Sequence, residues 1–361
     1  MKIRISLFFL VWFSHLTAQT PLDTAVEYLS RVSQPGETTL HECLVDGLRK
    51  PLTNMPNGFS YNAHMLNCNG KPCGVLKFGH EVEVKNERIS YVLQQVLEDK
   101  IGLTFGVPET YLVRLPDPKN DGKLTIAEVI KYIPNAVTWN DFDQREMDRI
   151  PQREFQKLLY HVIMLSWDSH KRNILFQKVG TSPNHYYKVH LVDLTHSFPS
   201  TKSTWSWFPW QMYDKAALPL TDDWKEALAN MDVNDIVDET RARMFDDEDR
   251  LGITVSPRIW DLLKLTLFSL KAGAIYKPTM REISSIFMPT KELYQGNMKY
   301  IGGEFEDLHK RYFNANTDRW DIHNAIPELE YIIQNPHNKI ENPDPRKWPN
   351  VEKSHPSWRF K

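Results

Sequence analysis

The 361-residue chain is short of several things that usually announce a function. It has three cysteines, Cys43, Cys68 and Cys73. Their spacing fits no zinc pattern, and too few histidines lie nearby to complete one. Beyond the N-terminus no stretch approaches the ~20 apolar residues that a membrane-spanning helix needs, so no transmembrane span is expected. Charge of neither sign dominates: 44 Lys+Arg stand against 46 Asp+Glu, a net charge of −2. With no long basic stretch either, the broad electrostatic footprint of a nucleic-acid binder is excluded. Gly-x-Ser-x-Gly, His-Glu-x-x-His, Walker and Gly-x-Gly-x-x-Gly motifs are all missing, and with them the sequence support for the chemistries those motifs serve. There is no Asn-x-Ser/Thr acceptor for glycosylation. What is present is globular composition, 41% hydrophobic and 25% charged, which excludes collagen, a disordered tail protein and a polytopic membrane protein. Eleven tryptophans are many. Several fall between Trp205 and Trp224, where they read as local packing rather than as a repeat.

The N-terminus has the three-part layout of a secretory signal peptide over residues 1–18. Lys2 and Arg4 precede the apolar run Ile5–Phe13, and Ser14–Ala18 is short and more polar, with a cut expected after Ala18. That places the protein in the secretory pathway, outside the cell, or in a compartment to which it is exported. Cys68 and Cys73 flank the turn signal Asn69-Gly70. Two readings stand for this pair, a disulfide clamping a hairpin and two free thiols on paired strands.

Periodicity divides the chain. An amphipathic stretch at Leu22–Val32 is followed by alternating segments on either side of Asn69-Gly70. A helical spacing then runs through Ile89, Val92, Leu93, Val96, Leu97 and Ile101. Strands are expected at 110–115 and 123–133, and at 174–176 and 187–192. From residue 141 onward helices dominate, with candidates at 221–231, 256–273, 279–287, 290–296 and 304–312. The fold class is therefore α+β: a small β-rich lobe over 19–134, a larger helical lobe over 135–330, and a tail over 331–361, rich in Pro, Asn and charge from 335 onward. Asp117–Glu128 imitates a calcium loop, but Pro118 and Lys119 spoil it. A hairpin turn between two strands is the better reading.

The chemistry concentrates in Asp168-Ser-His170-Lys-Arg-Asn173 and, twenty residues on, Asp193-Leu-Thr-His-Ser-Phe-Pro199. Strands after Asn173 and before Asp193 would form a hairpin that sets these two side chains next to each other. An Asn and an Asp beside a third carboxylate suit Mg²⁺, which binds few protein oxygens plus substrate phosphates. Asp168 is then free to orient a hydroxyl nucleophile or take its proton. Lys77 ends an apolar strand, and Glu87, at the expected start of the next helix, could hold it by an ion pair; Glu83 and Glu98 are rival partners.

In this order of residues the sequence resembles the atypical kinase-like group that includes type II phosphatidylinositol 4-kinases, HipA-type bacterial kinases and the actin-fragmin kinase. The resemblance covers roughly residues 55–300. It is carried by Asp168-x-His170-x-x-Asn173, by Asp193-x-x-x-Ser-Phe-Pro199, and by Glu87-x-x-x-Tyr-x-Leu followed by Val107-Pro-x-Thr110. It implies a bilobal protein-kinase-like fold and an ATP- and Mg²⁺-dependent phosphotransferase. Lys77 would bind the nucleotide phosphates with Glu87 as its partner, Asp168 would be the catalytic Asp, and Asn173 and Asp193 would hold Mg²⁺. Ser60, in the segment nearest to a phosphate loop, and Glu128, Ile130 and Tyr132, on the strand entering the hinge, would line the nucleotide. The expected acceptor is a protein hydroxyl, with a phosphoinositide lipid as the alternative. Thr195 stands where a Gly is usual two residues after the metal Asp, and no glycine-rich loop precedes Lys77. These departures keep a pseudokinase open, and AMP transfer is a third reading.

Overall fold

Asn69 and Gly70 both take positive φ, 51° and 78°, the conformation that a tight two-residue hairpin turn requires. They join β2 (Ala63–Cys68) to β3 (Lys71–Phe78). A computed structural model of the protein describes residues 20–32, 53–54, 63–166, 169–198, 208, 210, 213–276, 279–284, 313–314 and 319–335. The segments expected as a signal peptide, as helices at 290–296 and 304–312, and as most of the tail lie outside these residues, as do Ser60, Asp168, Trp205 and Trp207.

The first sheet is antiparallel, in the order β1-β2-β3-β5-β4, with β1 at Thr53–Asn54, β4 at Thr110–Pro116 and β5 at Leu124–Lys131. Along β3, Leu76 and Phe78 point into a core with Leu66, Val113 and Val129. α1 (Pro21–Val32) closes that core with Leu29. Lys77, one residue out of phase, faces the other side of the sheet, as a two-residue period requires. The register places Lys77 directly opposite Glu128 of β5, and Glu128 opposite Leu112 of β4. The segment resembling a calcium loop is the β4–β5 turn: Asp117 N donates to Lys123 O at 2.9 Å, and Asp117 Oδ1 accepts from Lys119 N at 2.9 Å.

α2 (Glu81–Ile101) starts five residues before Asn86, so Glu87 lies in its second turn rather than at its start. Glu81 and Glu83 favour the first turn by complementing the helix dipole. Gly102 ends the helix in the left-handed region at φ 70°, donating to Glu98 O at 3.0 Å. Every residue from Val84 to Ser90 is buried, including Lys85, Asn86, Glu87 and Arg88. No single amphipathic stripe produces this; the turn is enclosed on all sides.

β6 (Ala136–Thr138), β7 (Ile174–Val179) and β8 (Tyr186–Leu191) form a second antiparallel sheet. Between β6 and β7 come α3 (Gln152–Gln156), a 3-10 turn and α4 (Tyr160–Ile163). Then follow α5 (Asp222–Asn230), α6 (Val233–Leu251), α7 (Pro257–Tyr276), α8 (Met280–Ser284) and α9 (Ile322–Gln334). A two-stranded ribbon, β9 (Phe313–Asn314) with β10 (Arg319–Trp320), precedes α9. The main core fills this half, with Trp139, Trp210 and Trp224 fully enclosed. Each large side chain removed from water contributes on the order of 2–3 kcal/mol.

Three expectations need correction. The nineteen-residue α6 has no counterpart among the expected helices. Its inward positions include Thr240 and Asp247, so its apolar stripe is broken where the core is polar. The boundary at 331 cuts α9, which continues to Gln334, so the Pro- and Asn-rich stretch expected from 335 begins where the helix stops. Cys68 and Cys73 do not pair: Cys73 is disulfide-bonded, whereas Cys68 is a buried thiol outside that bond. No helix among the described residues is long and apolar enough to cross a membrane.

Candidate functional site

β3 from the first sheet and the segment leaving β8 bring together residues far apart in sequence. Lys77 Nζ lies 2.5 Å from Asp193 Oδ1, across 116 residues of chain, and 3.4 Å from Glu128 Oε1. Among the described residues, those are the two carboxylates within 4.0 Å of the ammonium. Glu87 acts on Lys77 from farther away, as its third carboxylate. Of the rival partners, Glu98 lies on the exposed end of α2 and Glu83 makes no ion pair with Lys77. Glu128 thus belongs to the lysine, as its cross-strand neighbour.

Glu87 and Glu128 are both 0% exposed, whereas the Asp193 side chain is 36% exposed. One ammonium therefore faces three carboxyl groups, two of them out of contact with water. Burial alone would depress the Lys77 ammonium, but Glu128, Asp193 and Glu87 together hold it well above its ordinary value. Burial pushes Glu128 well above the usual carboxylate range despite the pull of Lys77. Burial likewise pushes Glu87 up, to about 7, against the attraction of Lys77. Neither Glu87 oxygen has a hydrogen-bond partner of good geometry among the described residues, although the Leu194 and Asp193 N–H groups are close enough to favour its charged form. Asp193 goes the other way: burial would raise it, but Lys77 and the Thr195 hydroxyl, 2.8 Å from Oδ1, carry it below its ordinary value.

The hairpin β7–β8 brings Asn173 to the same place. Ile174 pairs with Leu191, and Val192 N donates to Asn173 O at 3.0 Å, so Asn173 and Asp193 leave one end of the hairpin side by side. His170 braces the loop before it: its Nδ1 accepts from Arg172 N at 3.2 Å, and its carbonyl accepts from Asn173 N at 3.0 Å.

The backbone here is strained. Asp193 is left-handed at φ 58°, and so are Leu165 and Phe198 at 47° and 48°. Such a conformation costs a non-glycine residue about 1–2 kcal/mol, and it persists only where its surroundings over-determine it. Phe198 N donates to Met164 O at 3.1 Å, tying the end of the Asp193 segment to the loop that leads to Asp168.

By donor type, Asn173 and Asp193 would suit Mg²⁺, each offering a side-chain oxygen from one end of the hairpin. Mg²⁺ keeps several waters and binds through one or two carboxylates plus phosphates. Among the described residues no group of three or more His, Cys, Asp or Glu is placed to hold a metal ion. The nucleotide-lining expectation for Ile130 and Tyr132 meets a constraint. Ile130 is in the ladder between β3 and β4, and Tyr132 N donates to Cys73 O at 3.0 Å. The N–H groups through Tyr132 are thus engaged in the sheet.

Sequence reasoning missed Asn86, Arg88, Gln94 and Asp247. Arg88 Nε donates to Asp247 Oδ2 at 2.7 Å and Nη1 to Thr110 O at 2.6 Å, joining α2 to α6 and β4. One signal was available: Asn86, Ile89 and Leu93 share the i, i+3, i+7 spacing of one helix face, so an amide sits at an apolar position.

No protein-family model matches the chain, and no curated protein matches it. Among solved structures, the crystal structure of a Helicobacter pylori proinflammatory kinase, CtkA, is similar at 14% identity and a TM-score of 0.32. That similarity covers 64% of this chain and 95% of that one. It is too slight to support a residue-by-residue comparison.

Proposed function

We propose that this protein is a kinase-like phosphotransferase that uses ATP and Mg²⁺, with a protein hydroxyl as acceptor. The observation that carries the reading is the convergence of Lys77 and Asp193 at 2.5 Å, with Asn173 at the same hairpin end and Glu87 and Glu128 enclosing the lysine. A cation on a strand facing an Asp/Asn pair is the arrangement that phosphoryl transfer needs, because that reaction is mostly positioning and charge neutralisation. Lys77 exchanges Asp193 for the nucleotide phosphates when they arrive, and Glu128 and Glu87 keep it in place. Asn173 and Asp193 hold the metal, which when bound neutralises phosphate charge. The acceptor oxygen attacks the γ-phosphorus, the bond to the β-phosphate oxygen breaks, and the hydroxyl proton passes to Asp168. That last role rests on the resemblance of Asp168-x-His170-x-x-Asn173 to the catalytic loops of atypical kinases.

The disulfide at Cys73 supports an oxidising compartment, in keeping with the signal-like residues 1–18. A second reading, a pseudokinase that binds nucleotide without turnover, is favoured by the Thr195 hydroxyl, which occupies Asp193 Oδ1 at 2.8 Å. Intact mass after incubation of the protein with Mg-ATP separates these readings. A phosphate-sized gain that is lost in Asp193→Ala is expected. An AMP-sized gain would redirect the reaction to nucleotidyl transfer. Mg-ATP binding with no transfer to the protein or to a panel of hydroxyl acceptors would leave the pseudokinase.

A further inference from the structure

α2 holds the Asp193 segment through two primary amides, Asn86 directly and Gln94 by way of the loop at Phe105–Val107. Asn86, 3% exposed, donates both protons of its amide: to Thr195 O at 2.9 Å and to Ser197 O at 2.7 Å. Gln94 lies two turns on. Its Nε2 donates to Val107 O at 2.8 Å, and its Oε1 accepts from Phe105 N at 3.2 Å and from Val107 N at 2.6 Å. The loop so held carries Gly106, whose carbonyl accepts from Leu191 N at 3.1 Å. Asp193 is therefore held at Leu191 on one side and at Thr195 and Ser197 on the other, and both holds originate on one helix.

The chemistry selects an amide at residue 86. Two carbonyl acceptors need two donors from one small group. An aspartate would set oxygens against oxygens, and a leucine would leave both carbonyls short of a partner, a loss of about 1–3 kcal/mol each. A lysine or arginine would bring a second cation into competition with Lys77 for Asp193. The hold also accounts for the left-handed backbone of Asp193, which needs outside support to persist.

We propose that Asn86 is the positioning residue for the metal end of this site, fixing the Asp193 carboxylate relative to Asn173, with Gln94 as the second brace. The inference rests on the kinase reading in one respect, that the position of Asp193 matters to Mg²⁺ and ATP. The test uses the full chain. ATP affinity is measured by calorimetry, with and without Mg²⁺, for the wild type, Asn86→Ala and Asn86→Asp. In Mg²⁺ both variants should bind ATP about 10–100-fold more weakly, as expected when a residue that orients a metal ligand is removed. Without metal, their affinity should equal that of the wild type, and both should still melt cooperatively. Wild-type affinity in Mg²⁺ for either cooperatively melting variant overturns the proposal. A wild type that shows no Mg²⁺-dependent ATP binding overturns the kinase reading instead. The brace is then decided, as it is if the variants do not fold, by hydrogen exchange on the wild type. Amides of residues 194–198 should open together with those of 84–94; exchange of 194–198 while α2 stays protected overturns it.

Discussion

Replacing Gly106 by alanine tests how closely the loop after α2 is fitted to the strand that delivers Asp193. Gly106 has φ 76°, and a methyl group there would fall well inside van der Waals contact of the Val189 carbonyl oxygen, with Val189 C at 3.2 Å and His190 Cα at 3.3 Å. These are backbone atoms, which cannot rotate away as a side chain can. Three costs add. The left-handed conformation costs alanine about 1–2 kcal/mol. Forcing β8 and the loop apart costs about 1–3 kcal/mol, as overpacking does. The Leu191 N–Gly106 O bond at 3.1 Å is weakened or lost, at about 0.5–1.5 kcal/mol. The total is roughly 2.5–6.5 kcal/mol, against the 5–15 kcal/mol that typically stabilises a domain. Gly102 provides the control: its φ is 70°, but nothing lies within 4 Å of its added methyl, so Gly102→Ala carries the backbone cost alone. Urea unfolding of the two variants measures the difference. Gly106→Ala should be less stable than Gly102→Ala by at least about 1.5 kcal/mol, the sum of the smaller packing and hydrogen-bond costs. Equal losses would refute the close fit.

Lys77→Met would leave Asp193, Glu87 and Glu128 without their cation, and removing one partner of a buried pair costs about 3–5 kcal/mol. Glu87, pushed up to about 7, and Glu128, also raised, contribute stability below the ordinary glutamate pKa and lose it as pH rises through their folded values. The variant's deficit should therefore shrink on acidification; a deficit independent of pH between 5 and 8 would argue against the cluster. His161 works with the opposite sign. Burial, aided by His170, lowers it to about 3 from an ordinary 6.5, so its stability contribution is present above pH 6.5 and lost as pH falls towards 3. In chemical unfolding followed against pH, His161→Leu should flatten that acid-side decline, and an unchanged slope would contradict it. Without reduction, peptide mapping should give a linked peptide that contains Cys73 and lacks Cys68, and Cys68 should be alkylated only after unfolding.

The local signals carried far. Alternation about Asn69-Gly70 and the apolar spacing from Ile89 to Ile101 locate a hairpin and a helix, because turn chemistry and periodicity act within a few residues. What could not be read is what depends on register or on distant partners. Glu128 as the lysine's neighbour is invisible until β3 and β5 are aligned, since one residue of slip would send it to the opposite face. The helix α6 is obscured because its core-facing Asp247 looks like a solvated acid until Arg88, 159 residues earlier, is placed against it. The polar run Asn86-Glu87-Arg88 suggests a solvent-facing turn, yet all three are buried, Asn86 and Glu87 by the Asp193 segment and Arg88 by α6 and β4. The Trp-rich segment was legible as packing, and Trp210 and Trp224 are enclosed in the main core.

The Arg88–Asp247 link, with Tyr28 OH 3.3 Å from the same carboxylate, has a consequence for the order in which the chain can take shape. Tyr28 and Asp247 are 219 residues apart, so a ribosome must deliver more than two thirds of the chain before α1, α2 and α6 can meet. Until then Arg88 has no carboxylate from α6, and α2 is not pinned to that helix. The nascent first sheet can pair its strands early, since their contacts are short in sequence, whereas closing a contact of this separation comes late. Assembly around Lys77 is thereby coupled to synthesis through α6, and a chain that stops before Asp247 carries every strand of the first sheet without the anchor that seats its helix.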